Sequence, residues 1–166
     1  MRTTIQKLAE QYQQDLVEIR RHLHAHPELS FHEEKTAAFI SAKLQSFGIE
    51  HQTNIGGHGI VGYIKGKYPE KKTIALRADI DALPIEEKNT CSYTSQNIGV
   101  MHACGHDVHT TCLLGAAKIL QELKDNLEGT IKLIFQPAEE KLPGGASILI
   151  KEGVLENPKV ESIYGQ

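Results

Sequence analysis

From residue 73 onward, short apolar runs alternate with helical patterns, and that alternation limits the possible folds more than any other feature of the chain. Thr73–Arg77, Gly129–Phe135 and Val160–Tyr164 are compact runs of strand length, too short for helices. Between them lie a helical stretch of about residues 107–124 and a shorter one of about 144–152, closed by Gly153. On the longer one Val108, Cys112, Ala116, Ile119 and Leu123 share a face, which places Cys112 in the core. Strand, helix, strand, helix, strand predicts an α/β fold: a sheet of mainly parallel strands with helices on both faces. In such sheets chemistry collects outside the carboxyl ends of the strands.

The first 70 residues extend this frame. Ile5, Leu8, Tyr12, Leu16, Ile19 and Leu23 recur at three- and four-residue steps and predict a helix over about 4–25, stopped before Pro27. His22, His24 and His26 would fall on different faces of that helix, so they read as its polar end and not as a metal cluster. Ser30 and Glu33 have capping-box spacing and predict a second helix over about 31–47, ended by Gly48. Residues 49–54 and 60–65 read as a hairpin. Its Gly56-Gly57-His58-Gly59 turn has no helix behind it and is not a phosphate loop. Residues 86–99 read as a loop.

Composition narrows the function classes. The 166 residues are 40% hydrophobic and 23% charged with net charge −3, acids and bases being interspersed. No basic block or nucleic-acid motif is present, which argues against a nucleic-acid partner. Runs such as Leu113–Ala117 are too short to span a membrane, and the N-terminal stretch lacks an apolar signal core. Three cysteines, an odd number, do not form a disulfide framework and favour a reducing, cytoplasmic location.

Three clusters of metal-binding residue types lie where the strand order would bring them to one edge. Asp79 and Asp81 follow the first strand, and Glu139 and Glu140 follow the next. Cys104 and His106, within Met101–His109, precede the helix between them, and Gly105 lets the backbone turn so that both can converge. Taken singly, each acid pair also reads as a solvated turn, and the Cys-Gly-His stretch as a helix start. His109, one turn beyond His106, is placed as lining the site. Together the clusters point to metal-assisted hydrolysis, in which a glutamate outside the ligand set takes the proton of the attacking water. Spacing does not say which of Glu139 and Glu140 is ligand and which is base.

Four motifs carry a resemblance. Arg20-Arg21 through Leu29, Leu76-Arg77-Ala78-Asp79-Ile80-Asp81-Ala82-Leu83-Pro84, Met101–Asp107 and Phe135–Glu140 occur in the order found in the M20 metallopeptidase family, and the chain resembles its amidohydrolase branch of N-acyl-amino-acid amidohydrolases, aminoacylases and hippurate hydrolases. The resemblance implies a zinc-peptidase-like catalytic domain with two divalent ions, Mn²⁺ or Zn²⁺, with Co²⁺ or Ni²⁺ as alternatives. It implies Cys104, His106 and Glu140 as metal ligands, Glu139 as general base and Asp79 as the supporting acid. No substrate-binding residue is assigned. The implied reaction is deacylation of an N-acyl amino acid by a metal-activated water. Members of the family are much longer, so residues 1–166 are expected to be the N-terminal portion of the catalytic domain. The remainder of that domain would be absent, as would a lid and dimerisation domain through which the full-length protein forms a homodimer. The alternative is that the 166 residues are a non-catalytic fragment or interaction module with a partial metal site.

Overall fold

The computed structural model describes residues 1–165. Helix α1 (Arg2–Ala25) and helix α2 (Glu34–Ser46) precede a hairpin of strands β1 (Glu50–Ile55) and β2 (Gly59–Lys65). Strand β3 (Thr73–Asp79), helix α3 (His106–Glu122), strand β4 (Thr130–Gln136), helix α4 (Gly145–Lys151) and strand β5 (Ser162–Gly165) follow. The five strands form one sheet in the order β1-β2-β4-β3-β5. β4, β3 and β5 run parallel, as the strand–helix alternation predicts, while β2 joins β4 antiparallel and carries β1 as an antiparallel edge. The sheet is therefore mixed, with its parallel part under the candidate site. No helix is long and apolar enough to cross a membrane among the described residues.

Two apolar layers hold the sheet. On one face Ile19 and Leu23 of α1, Ile40 and Leu44 of α2, and Leu113, Leu114 and Ala117 of α3 pack over Ile60, Ile64, Leu133 and Phe135. On the other, Leu149 of α4 and Val154 cover Val61, Ala75 and Ile134. β4 is buried along its whole length because both faces are covered and both edges are paired. Its one charged residue, Lys132, donates from Nζ to the carbonyls of Val154, Glu156 and Pro158 at 2.8, 2.6 and 2.9 Å, which satisfies the buried ammonium. Gly115 lets α1 lie close on α3: a β-carbon there would stand 2.9 Å from Leu16 Cδ1.

Two local expectations differ. α2 begins at Glu34, later than its spacing predicts, and Ser30 and Glu33 make no capping box; both side chains turn inward to distant partners. In α3 the buried face runs through His106, Thr110, Leu113, Leu114 and Ala117, so Cys112 is exposed and not in the core. Apolar residues surround much of this helix, and the sheet selected a different stripe from the one its periodicity singled out.

Candidate metal centre

β3 and β4 are paired in register up to Asp79 opposite Gln136. Ile80 N then donates to the Gln136 carbonyl at 3.1 Å, so the two chains leave the sheet together. One carries Asp81 and the other Pro137–Glu140. α3 starts beside them at His106, behind Gly105, whose φ of 109° is a left-handed conformation that glycine adopts at little cost. Thr110 Oγ1 donates to the Asp79 carbonyl at 2.8 Å and fastens the first turn of α3 to the end of β3.

The two aspartates are buried and fully engaged. Asp79 meets Arg77 at 2.7 Å through Oδ2 and His109 Nδ1 at 2.8 Å through Oδ1. Asp81 Oδ2 accepts from Ser30 Oγ at 2.6 Å and from Glu140 N at 3.0 Å. His106 Nδ1 faces the Asp81 carbonyl at 2.9 Å and Asp81 Oδ1 at 3.2 Å. Burial opposes ionisation of Asp81, but the hydrogen bonds from His106, Ser30 and the amides of Glu140 and Glu139 outweigh it and hold its pKa at about 2. With Nδ1 placed as the donor, the other ring nitrogen of His106 is left for the site. Burial works against the charged form of His106 as well, yet the hydrogen bond to Asp81 and the charges of Asp79 and Asp81 raise its pKa.

That second nitrogen, Nε2, lies 3.7 Å from Glu140 Oε1, 4.0 Å from Glu139 Oε2 and 3.6 Å from Asp79 Oδ1. Cys104, His106 and Glu140 each offer a ligand atom within 4.8 Å of the other two. Such spacing suits a first-row divalent ion, whose bonds of about 2.0–2.3 Å set tetrahedral neighbours roughly 3.5 Å apart. The electrostatics fit as well. Burial and the Glu140 carboxylate push the Cys104 thiol pKa up, with Asp79 and Glu139 adding to it, so this anionic pocket favours a cation. Asp79, His106 and His109 form a second group within the same distance. There Asp79 is already engaged by Arg77 and His109, so the Cys104–His106–Glu140 set is the better metal cradle.

The structure thus brings together Asp79, Cys104, His106, Glu139 and Glu140, with Asp81 and His109 bonded to members of that group. It also reveals a buried support that local patterns missed. His24 lies 2.7 Å from Asp107 Oδ2 and 3.1 Å from Glu87 Oε1, and Arg20 Nε lies 2.9 Å from Asp107 Oδ2. The end of α1 thereby clamps the residue after His106. Asp107 within the helix start and His24 within the polar end of α1 are the available signals, but only the fold pairs them. His22 and His26 remain a polar helix end, with His26 Nδ1 2.7 Å from the His22 carbonyl.

Comparison with known proteins gives the family and the fold. The model of peptidase family M20/M25/M40 matches residues 75–166, more than half of the chain. The chain belongs to that family. An N-acyl-L-amino acid amidohydrolase of Geobacillus stearothermophilus is 48% identical over 156 residues, covering 94% of this chain and 42% of that protein. An N-acetyl-L-cysteine deacetylase of Bacillus subtilis is 48% identical over 153 residues, covering 92% and 36%. Among solved structures, the Bacillus subtilis YXEP protein, described as a dinuclear metal-binding peptidase of the M20 family, superposes with TM-score 0.87 at 41% identity over 94% of this chain and 43% of that one. The chain spans about two fifths of the length of these family members.

Proposed function

We propose that this chain carries the catalytic-metal half of an amidohydrolase that removes the acyl group from an N-acyl amino acid. The observation that carries the proposal is the convergence of Cys104, His106 and Glu140 beside a second carboxylate, Glu139, that lies outside that group. Cys104, His106 and Glu140 would hold a divalent ion, with Mn²⁺ or Zn²⁺ the proposed metals and a second ion completing a dinuclear centre. When bound, the metal supplies Lewis acidity, which lowers the pKa of water and polarises an amide carbonyl. Glu139, half-exposed at the mouth of the site, takes a proton from the attacking water and delivers it to the leaving amine. Asp79 fixes His109 and Arg77 at the rim, and Asp81 holds the His106 ring so that Nε2 faces the metal position.

The relatives named above support the amide substrate, since two of them act on N-acyl amino acids by their names. The wider proposal treats residues 1–166 as the N-terminal portion of the catalytic domain of a cytoplasmic, homodimeric enzyme. The three cysteines, all free, accord with a reducing location. The test is hydrolysis of N-acetyl and hippuryl amino acids by the full-length protein with added Zn²⁺ or Mn²⁺, alongside the Glu139→Gln variant. Metal-dependent turnover abolished by that substitution is expected. Full activity in Glu139→Gln would remove Glu139 from its role.

A further inference from the structure

Glu33 is completely buried at the N-cap position of α2, yet its side chain makes no capping hydrogen bond and belongs to none of the groups that could hold a metal. Its Oε1 accepts a hydrogen bond from Ala138 N at 2.7 Å, and its Oε2 is buried without a partner among the described residues. A buried carboxyl with an unsatisfied oxygen is costly, so its presence calls for an explanation. Ala138, also fully buried, has φ of 49°, a left-handed conformation that alanine rarely adopts unless held there. It is gripped on both sides: Glu33 takes its N–H, and its carbonyl accepts from Gly145 N at 2.8 Å. Gly145 permits this approach, because a β-carbon there would meet the Pro137 carbonyl oxygen at 1.8 Å.

The next residue is Glu139, and the amide after it, Glu140 N, is held by Asp81. The backbone on either side of Glu139 is therefore pinned by one buried carboxyl group apiece. Ser30 joins the two anchors, since it bonds Asp81 from the same short segment that carries Glu33. We propose that Glu33 is the positioning residue for the Glu139–Glu140 pair, acting through the Ala138 backbone. It fixes where the turn points while leaving the Glu139 side chain free to move a proton. The inference rests on the hydrolase reading for its functional meaning, but its structural core does not need a metal.

The test uses Glu33→Met, which keeps the volume and removes the acceptor, and Glu33→Gln, which keeps an oxygen for Ala138 N. Glu33→Ala serves as a second acceptor-free variant should the methionine form fail to fold. Amide hydrogen exchange is followed in the metal-free chain. Glu33→Met is expected to speed exchange at Ala138 and Glu140 by about tenfold or more relative to Leu133 of β4, with Glu33→Gln close to the original. In the full-length protein the acceptor-free variant should lose about a hundredfold in kcat with KM within about threefold, and Glu33→Gln should recover most of it. Uniform acceleration across the chain, or unchanged exchange at Ala138, would overturn the proposal. So would a Glu33→Gln variant as impaired as Glu33→Met. Failure of the hydrolase reading shows separately, as an unsubstituted protein that neither binds metal nor turns over substrate, and the exchange pattern still decides what Glu33 does to the turn.

Discussion

Asp79 and Asp81 at the end of β3, and Glu139 and Glu140 after β4, are two acid pairs on one sheet edge, and they are built in opposite ways. The aspartate side chains are 4% and 0% exposed and their oxygens are engaged by Arg77, His109, Ser30, His106 and a backbone amide. The glutamate side chains are 43% and 24% exposed, and it is their backbone amides that are held, while their carboxylates face His106 Nε2 across 3.7–4.0 Å. The difference separates frame from reagent. A buried carboxylate with both oxygens bonded by the protein fixes geometry, and a half-exposed one reached through a fixed backbone can accept a metal or a proton.

Exchanging charge for amide in each pair sharpens that contrast. Glu139→Gln should lower kcat by about a thousandfold while shifting unfolding free energy by no more than about 0.5 kcal/mol, measured by steady-state kinetics and denaturant titration. Asp81→Asn should do the reverse in the metal-free chain and destabilise it by about 3 kcal/mol, because the new amide would face the donors of Ser30, Glu140 and His106. A stable Asp81→Asn chain would erase the distinction between the pairs.

Acid titration provides a smaller test. Asp81 has its pKa depressed from 3.8 to about 2 in the folded state. A depressed carboxylate stabilises the fold above its unfolded pKa, and that contribution is lost as pH falls through the folded value. The metal-free chain should therefore lose about 2 kcal/mol of stability between pH 4 and pH 2, and Asp81→Asn should flatten this segment of the profile. The smallest effect belongs to Cys112→Ser. An exposed thiol away from the cradle should change stability by less than about 0.5 kcal/mol and leave metal affinity unaltered.

Much of this site can be read from the chain because it depends on strand order. Two parallel strands with a helix between them force the residues after each strand to one edge, and Cys104, His106, Glu139 and Glu140 follow from that rule. What could not be read depends on contacts across long stretches of chain. Ser30 and Glu33 have the spacing of a local cap, and nothing in their neighbourhood shows that they serve Asp81 and Ala138, 51 and 105 residues away. His24 reaches Asp107 across 83 residues for the same reason. Cys112 was misplaced because helix periodicity cannot select a face when apolar residues nearly encircle the helix. The antiparallel β1–β2 hairpin was legible, but not its docking beside β4, since the hairpin pattern does not say which edge it joins.

Calorimetric titration of Zn²⁺ into the metal-free chain, in buffers of different protonation enthalpy, tests the central claim most directly. Binding to Cys104, His106 and Glu140 should release protons, chiefly from the Cys104 thiol, whose pKa lies above its ordinary value without a metal. Cys104→Ser and Glu140→Gln should each weaken binding by about a hundredfold, and Cys104→Ser should also remove most of the proton release, while Glu139→Gln and Cys112→Ser bind as the original does. Zinc bound with undiminished affinity by both Cys104→Ser and Glu140→Gln would contradict the account.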